Sequence, residues 1–274
     1  MFGHTDGVDA SFDSMIESVE WWQVLASAVL IVLAIGLSWW RHIGVERRIA
    51  IAAVRAAVQL LVVGYVLSWI VESSRDDLFA ILWVGVMVAI ATIVIYRRAP
   101  EIPGGAWLGF GVTVTTVGVC LAVMFGLQVI EYDPISFVVI AGITIGNTLP
   151  SVVLSGNRIV NVMRTERGEI EAMLALGFDA KGVVRQAGRP LARIALIPQI
   201  ERTNVVGLIA LPGAMTGLLL AGVDPLDAVL IQLIVMYLVL GAVATSVVAT
   251  VMIGLQRVIT PDLRLTQISP TPKN

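Results

Sequence analysis

The sequence predicts an all-α, polytopic integral membrane protein with about seven transmembrane helices and a helical cytoplasmic loop. Of the 274 residues, 57% are hydrophobic and 14% are charged, whereas soluble domains carry about 25% charged residues. The mean hydropathy of the chain is +0.90. The apolar residues are also gathered into long stretches that short charged loops separate. Together these observations predict repeated crossing of a lipid bilayer.

The individual spans are predicted from the length of each apolar stretch, because a helix needs about 20 apolar residues to cross a bilayer. The stretches run over residues 22–40, 49–71, 78–95, 106–128, 134–154, 204–221 and 228–255. Tryptophan pairs flank the first stretch, at Trp21-Trp22 and Trp39-Trp40. In a helix the pairs stand about 27 Å apart, close to one hydrocarbon thickness. Aromatic residues at both interfaces are typical of a membrane anchor.

The charges of the loops predict the orientation. The N-terminal tail and the loops at 72–77, 129–133 and 222–227 are acidic, with Arg75 as their one base, while the other loops hold most of the Lys and Arg. Lys and Arg concentrate on the cytoplasmic side. We therefore expect a multi-pass protein of the plasma membrane with its N-terminus outside and its C-terminus inside. The predicted parts are an acidic extracytoplasmic tail (1–20), a transmembrane domain (21–257) with a cytoplasmic hairpin at 158–202, and a cytoplasmic tail (258–274).

Several kinds of chemistry have no motif in this chain. The phosphate-binding pattern GxxxxGK[ST] does not occur, so ATP hydrolysis by this chain is excluded. His4 and His42 both lie outside the spans, and there is neither an HExxH motif nor a pair of cysteines, since Cys120 is the single cysteine. We therefore expect no catalytic residue, no cofactor bound by this chain and no nucleic-acid partner. The sequence leaves the ligands of any metal unknown.

Two polar residues lie within the second span. Arg55 and Gln59 are four residues apart and so share one helix face. An arginine at the centre of a membrane helix costs about 2.5–3.5 kcal/mol, which favours a position facing protein or water. One interpretation is a polar face on the transport path. In the other, Arg55 extends to the nearby cytoplasmic interface and Gln59 mediates helix packing.

The fifth span carries the stretch IGNTLP near its cytoplasmic end. Asn147 is an amide that must find hydrogen-bond partners there, and Pro150 removes one helical hydrogen bond. A kink near an intracellular gate is one interpretation, and ordinary packing of small residues is the other.

The sixth span carries the stretch LPGAMTG at its middle. Pro212 frees a backbone carbonyl, and Gly213 lets the backbone unwind. The freed carbonyls, the Met215 sulfur and the Thr216 hydroxyl are suited to line a cation path. A purely structural kink near Pro212 is the alternative.

The stretch EAMLALG, residues 171–177, lies in the charged segment between two apolar blocks. It resembles the EAA loop of ABC transporter permeases, which docks into an ATPase subunit. Gly177 is suited to end a helix in the left-handed conformation, and Asp179 to cap the next helix. The apolar residues Ile170, Met173 and Leu174 recur at helical spacing, so their face packs either on this chain or on a partner. With Glu171 and Gly177 they are the candidate coupling residues; an ordinary helical hairpin is the alternative.

Several stretches together resemble one family, the FetB (YbbM-like) permeases, which are ABC membrane subunits implicated in iron export and whose plant relatives are linked to aluminium tolerance. The stretches are Arg55-x-x-x-Gln59, Ile145-Gly146-Asn147, EIEAMLALG (169–177), RIALIP (193–198), Val206-Gly207-Leu208 and LPGAMTGLLLAG (211–222). The resemblance covers residues 45–245. The family more often has LPGMMTGQILAG, so Ala214 and Leu218 replace a Met and a Gln.

The resemblance implies the permease subunit of an ATP-driven exporter of a metal cation such as iron. It also implies a separate ABC ATPase subunit that binds ATP-Mg, and a homodimer of the permease, since seven spans are half of a usual ABC membrane domain. An ATP-independent secondary transporter or channel is the alternative, for which charged residues inside several spans would be expected. A membrane-embedded enzyme is disfavoured by the absent catalytic groups.

Overall fold

A computed structural model describes residues 21–72, 76–102, 104–260 and 262–266. The predicted acidic tail, residues 1–20, lies outside the described residues, as does the end of the predicted C-terminal tail. The chain divides into two compact units. One unit comprises Met1–Ser74 and Gly213–Val229, and the other comprises Arg75–Pro212 and Leu230–Asn274.

The first unit is built around two packed helices that a short turn joins. It contains α1 (Trp21–Ser27), α2 (Val29–Trp40), α3 (Glu46–Glu72), α9 (Gly213–Leu220) and the first residues of α10. Helices α2 and α3 pack against each other. The Ser38 hydroxyl donates to Glu46 Oε1 at 2.8 Å, which ties the end of α2 to the start of α3.

The second unit is a bundle of longer helices. It contains α4 (Asp76–Arg98), α5 (Gly105–Gly126), α6 (Pro134–Thr165), α7 (Arg167–Ala175), α8 (Ala180–Asn204) and most of α10 (Pro225–Val258). Helices α4, α5 and α6 pack on one another, and α8 packs on α6 and α7. Its largest apolar cluster joins residues of α6, α7, α8 and α10 with Ile259 and Leu265 of the C-terminal segment.

The predicted all-α membrane architecture is confirmed. Among the described residues, α3, α4, α5, α6 and α10 are long and apolar enough to cross a membrane, and Leu25–Trp40 forms a shorter apolar helix. These helices cover six of the seven predicted spans. The chain is therefore a multi-pass membrane protein.

The predicted sixth span, residues 204–221, is wrong as a single kinked helix. Helix α8 ends at Asn204, residues 205–212 are not helical, and α9 starts at Gly213. Gly207 has φ +84° and its N–H bonds to the Ala210 carbonyl at 3.0 Å, which makes a tight turn. Pro212 lacks an N–H and disfavours helical backbone at the residue before it. The proline thus precedes a new helix instead of bending a continuous one.

The side of the membrane that holds the C-terminal ends of α4, α6 and α10 is called the basic side below, since these ends carry Arg97, Arg98, Arg164 and Arg257. Helices α6 and α10 have 32 and 34 residues. At 1.5 Å per residue they measure about 48 and 51 Å, longer than a hydrocarbon core of about 30 Å. Helices of this length cross the bilayer at a tilt or extend beyond it.

The opposite, acidic side of the second unit is fastened by an aromatic cluster. The Tyr132 hydroxyl donates to Asp77 Oδ1 at 2.8 Å, joining the loop before α6 to the start of α4. The Tyr132 ring also meets Phe125 edge-on at 5.3 Å between centroids, and Phe125 stacks on Phe137 at 6.2 Å. The hydrogen bond to Asp77 is the main cause that raises the pKa of Tyr132, followed by burial and the nearby carboxylates.

Candidate functional site: the corner between α7 and α8

The break between α7 and α8 is a tight corner that backbone hydrogen bonds define. Gly177 has φ +90°, the left-handed conformation that glycine adopts without strain. Its N–H bonds to the Leu174 carbonyl at 3.1 Å, and the Phe178 N–H bonds to the Met173 carbonyl at 3.1 Å. These two bonds form a Schellman motif, which satisfies the last carbonyls of a helix.

The next helix begins immediately after this corner. Asp179 is the N-cap of α8, and its Oδ1 accepts from the Gly182 N–H at 2.7 Å. Both halves of the predicted break at Gly177 and Asp179 are therefore observed. The end of α7 and the start of α8 are therefore both satisfied within four residues of the chain.

The apolar face of α7 packs inside the second unit. Ile170 is 1% exposed and belongs to the large apolar cluster with Val183 of α8 and Leu255 of α10. Met173 and Leu174 are partly buried against the same cluster. Of the two possibilities that the sequence left open, packing on this chain's own helices is therefore the one observed. Ile170 is buried, whereas Met173 and Leu174 each keep a partly exposed surface, and Leu174 also lines the groove that Glu171 borders.

The exposed apolar surface of the corner comes from two residues that sequence reasoning missed. Leu176 is 79% exposed and Phe178 is 47% exposed, one on each side of Gly177. Both lie just past the last turn of α7, where the helical repeat that places Ile170 and Leu174 inside no longer applies. The signal that could have found them is their position beside a glycine that ends the helix. Large exposed apolar side chains placed side by side mark a contact with a protein partner or with the membrane.

Helix α7 is also joined to the C-terminal segment. Arg167 Nε donates to Glu171 Oε1 at 2.8 Å, and Arg167 Nη2 reaches the Leu265 carbonyl at 3.5 Å. The carboxylate of Glu171 lies half exposed beside a groove of about 520 Å³ between α7 and residues 262–265. The acidic residue that opens the EAMLALG stretch is thus held by its own helix and faces an open groove.

The C-terminal segment that borders this groove is an ordered turn. The Thr260 N–H bonds to the Arg264 carbonyl at 2.8 Å, and the Thr266 N–H bonds to the Val258 carbonyl at 2.9 Å. Leu265 is buried in the large apolar cluster. The first part of the predicted C-terminal tail is therefore integrated into the second unit and forms one wall of the groove.

The predicted transport-path residues are divided between the two units. Asn147 lies on α6 in the second unit, where its Nδ2 donates to the Ile143 carbonyl at 2.8 Å. Its Oδ1 accepts from Arg202 of α8 at 3.3 Å. Both the nitrogen and the oxygen of the Asn147 amide therefore have hydrogen-bond partners, and the side chain links α6 to α8. Pro150 lies within α6, which runs on to Thr165.

Arg55 and Gln59 lie in the first unit on one face of α3. Both side chains are exposed and line the same shallow groove of about 500 Å³, with apolar neighbours on the same helix. Within this groove they form the polar positions of an otherwise apolar face.

The stretch around Pro212 crosses the division between the two units. Pro212 ends the second unit, and Gly213 is the first residue of α9 in the first unit. Met215 and Thr216 are partly buried, as is Leu219, whereas Leu220 is exposed. In the part of the chain that the structure describes, no group of three or more His, Cys, Asp or Glu residues could hold a metal ion.

Comparisons with known proteins place the chain among membrane proteins. The model of the Uncharacterised protein family (UPF0014) matches residues 21–259. The UPF0014 membrane protein STAR2 of Oryza sativa subsp. japonica is 33% identical over 225 residues, which are 81% of this chain and 78% of that protein. UPF0014 membrane protein YjkA of Bacillus subtilis (strain 168) is 32% identical over 80% of this chain and 88% of that protein.

A further relative is the protein of Escherichia coli (strain K12) named "Probable iron export permease protein FetB". It is 31% identical over 221 residues, which are 80% of this chain and 85% of that protein. No solved structure matches the chain. The resemblance to the FetB permeases that the motifs predicted is confirmed, and the chain belongs to the UPF0014 family of membrane proteins.

Proposed function

We propose that this chain is the membrane-spanning permease subunit of an ATP-driven ABC transporter that exports a metal cation such as iron. The observation that carries the proposal is the corner between α7 and α8. Its helix ends are closed by a Schellman motif and by the Asp179 cap, which would make it rigid, and it exposes Leu176 and Phe178. In the proposed assembly the corner lies outside the bilayer, at the basic side. A motor subunit that acts from outside the membrane needs such a stiff contact point.

The internal packing of α7 supports the same role. A force applied at the corner reaches α6, α8 and α10 through one apolar cluster, because Ile170, Met173 and Leu174 are packed against residues of all three helices. Densely packed interiors transmit displacement instead of absorbing it. The packing of these residues would therefore make α7 an effective lever.

The partner in this proposal is a separate ABC ATPase, which binds ATP-Mg, since the sequence has no phosphate-binding loop. The basic side is cytoplasmic in this assembly, in accord with the distribution of Lys and Arg. A homodimer of the permease completes the membrane domain. A second copy would also cover the largely apolar groove of α3 that Arg55 and Gln59 line.

The substrate assignment rests on a relative's name and on the available ligands. The relative named as a probable iron export permease is 31% identical. The nonhelical segment at residues 205–212 leaves backbone carbonyls outside a regular helix. Discontinuous helices are where many transporters coordinate cations. Ala214 and Leu218 replace a Met and a Gln of the more frequent pattern, which removes one sulfur ligand and one polar group.

The test is transport in sealed vesicles. The tagged chain is purified together with the ABC ATPase that accompanies it, and both are reconstituted with the corner facing outward. We expect Fe²⁺ to accumulate inside only when ATP is hydrolysed, and Thr216→Val to slow accumulation while the amount of complex is unchanged.

Vesicles that contain the chain alone provide the control. Metal uptake by these vesicles in response to a proton gradient, without ATP, would support the alternative of a secondary transporter. ATP hydrolysis by the reconstituted complex without uptake of any metal in a panel of divalent and trivalent ions would retain the ABC assignment and reject a metal cation as the substrate.

A further inference from the structure

A groove in the second unit runs along the contact between α5 and α10. It has a volume of about 320 Å³, and its walls are mostly apolar. It extends along α5 from Leu108 to Val119 and along α10 from Thr245 to Arg257. At 1.5 Å per residue both walls are about 16–18 Å long. This length equals one leaflet, because the whole hydrocarbon core is about 30 Å thick.

The mostly apolar walls of the groove suit a hydrocarbon chain. The hydroxyl of Thr245 is satisfied within α10 by the Gly241 carbonyl at 2.8 Å, so this wall residue does not require a polar ligand.

One end of the groove carries a positive charge at the basic side. Arg257 lies in the last turn of α10, and its Nη1 donates to the Gly104 carbonyl at 2.7 Å. A guanidinium has five N–H donors, so four remain after this bond. Among the described residues, no carboxylate forms an ion pair with Arg257. Trp107, which is exposed, lines the same end of the groove, as expected of an aromatic residue at the membrane interface.

We propose that this groove binds an anionic phospholipid of the leaflet at the basic side, with one acyl chain between α5 and α10 and the phosphate paired to Arg257. The apolar wall accounts for the chain, its length matches the depth of the leaflet, and the guanidinium held at Gly104 complements the phosphate. Basic sites between transmembrane helices on the cytoplasmic side are suited to anionic headgroups. Lipid binding requires neither ATPase nor substrate, so the purified chain is sufficient for the test.

The experiment measures binding of the first lipid to the full chain in neutral detergent by native mass spectrometry. The probes are phosphatidylglycerol and phosphatidylcholine with identical acyl chains. Each positive residue near a membrane surface contributes about 1 kcal/mol toward an anionic lipid, so we expect phosphatidylglycerol to bind about fivefold more tightly. Arg257→Gln should abolish this preference, and Arg257→Lys should retain it. Arg98→Gln, an arginine of the same side outside the groove, should leave the preference unchanged.

A second pair of variants tests the chain-binding wall. A Cβ at Gly111 meets no atom within 4 Å, so Gly111→Leu projects into the groove without disturbing the helix contact. It should weaken binding of both lipids. Gly85→Leu, an equally open position on α4 outside the groove, is the matched control and should bind both lipids as the wild type does.

Three results would overturn the proposal. The first is unchanged binding of both lipids by Gly111→Leu or an unchanged preference in Arg257→Gln. The second is competition by glycerol phosphate at the concentration at which the lipid binds, which would assign Arg257 to a free phosphate. The third is a disulfide-linked dimer of Gly111→Cys in membranes, which would assign the groove to a second copy of the chain.

Discussion

Arg167 and Glu171 form an ion pair across one turn of α7, with Nε and Oε1 2.8 Å apart. Both side chains are substantially exposed, so the pair contributes little to the free energy of unfolding, about 0.3–0.5 kcal/mol for such a helical pair. We expect Glu171→Gln to change the unfolding free energy by less than about 0.5 kcal/mol. Arg167→Ala should cost more, about 1 kcal/mol, because it also removes the hydrogen bond to the Leu265 carbonyl.

Denaturant unfolding of both variants in the same detergent checks this order. Equal losses in the two variants would mean that the bond from α7 to the C-terminal turn contributes nothing to stability.

Substitutions of Ile170 and Leu176 are predicted to distinguish a residue that stabilises the fold from one that contacts a partner. Ile170 is 1% exposed, so Ile170→Ala should cost about 2–5 kcal/mol of unfolding free energy. Leu176 is 79% exposed, and Leu176→Ala should stay within about 0.5 kcal/mol of the wild type. Thermal unfolding without the ATPase measures both. A large loss in Leu176→Ala would show that this residue is structural and would remove it from the docking surface.

The corner between α7 and α8 is predicted to require glycine at the position of Gly177. Its φ of +90° is unfavourable for any side chain, so Gly177→Ala should cost about 1–2 kcal/mol. Gly168→Ala is the matched control, because Gly168 lies within α7 in open space and alanine favours helix by about 1 kcal/mol over glycine. The two variants should therefore shift the unfolding midpoint in opposite directions. Shifts of the same sign would contradict the left-handed assignment of Gly177.

The stabilising contribution of Tyr132 is predicted to be lost at alkaline pH. Its pKa is raised mainly by the hydrogen bond that its hydroxyl donates to Asp77, so the folded state favours the protonated phenol. This contribution is complete below the unfolded-state pKa of about 10 and is lost as pH rises through the higher folded-state value. Melting temperatures of the wild type and Tyr132→Phe should therefore differ by a constant amount near neutrality and converge above about pH 10. A difference in melting temperature that persists unchanged at alkaline pH would exclude the Tyr132–Asp77 hydrogen bond as its source.

The sequence predicts the membrane architecture well because the length of an apolar stretch is set by the thickness of the bilayer. Apolar stretches of the right length became helices at six of the seven predicted spans. The Gly177 and Asp179 signals also located the corner correctly, since a left-handed glycine and a helix cap are local properties of the chain.

The remaining features depend on contacts that the sequence does not contain. The apolar repeat of Ile170, Met173 and Leu174 indicated a buried face but could not tell an internal neighbour from a partner. The sixth span was misassigned because hydropathy does not register the turn at Gly207, which ends helical hydrogen bonding before Pro212. The C-terminal turn was missed because its stability comes from burial of Leu265 in a distant cluster.

The central claim is that the corner between α7 and α8 binds an ABC ATPase. It is tested most directly by substituting Leu176, which is exposed and therefore tolerates change without loss of the fold. Binding energy at protein interfaces concentrates in a few buried apolar anchors instead of charges at the rim. Leu176→Asp and Phe178→Asp should therefore release the ATPase, while Leu176→Met and the rim variant Glu169→Gln should keep it.

The decisive measurement is the amount of ATPase that copurifies with each variant, together with substrate-stimulated ATP hydrolysis in reconstituted membranes. We expect Leu176→Asp to lose both signals while its melting temperature without the ATPase matches that of Leu176→Met. If Leu176→Asp and Phe178→Asp both retain wild-type copurification and stimulated hydrolysis, the corner is not the coupling element and the ABC assignment loses its structural basis.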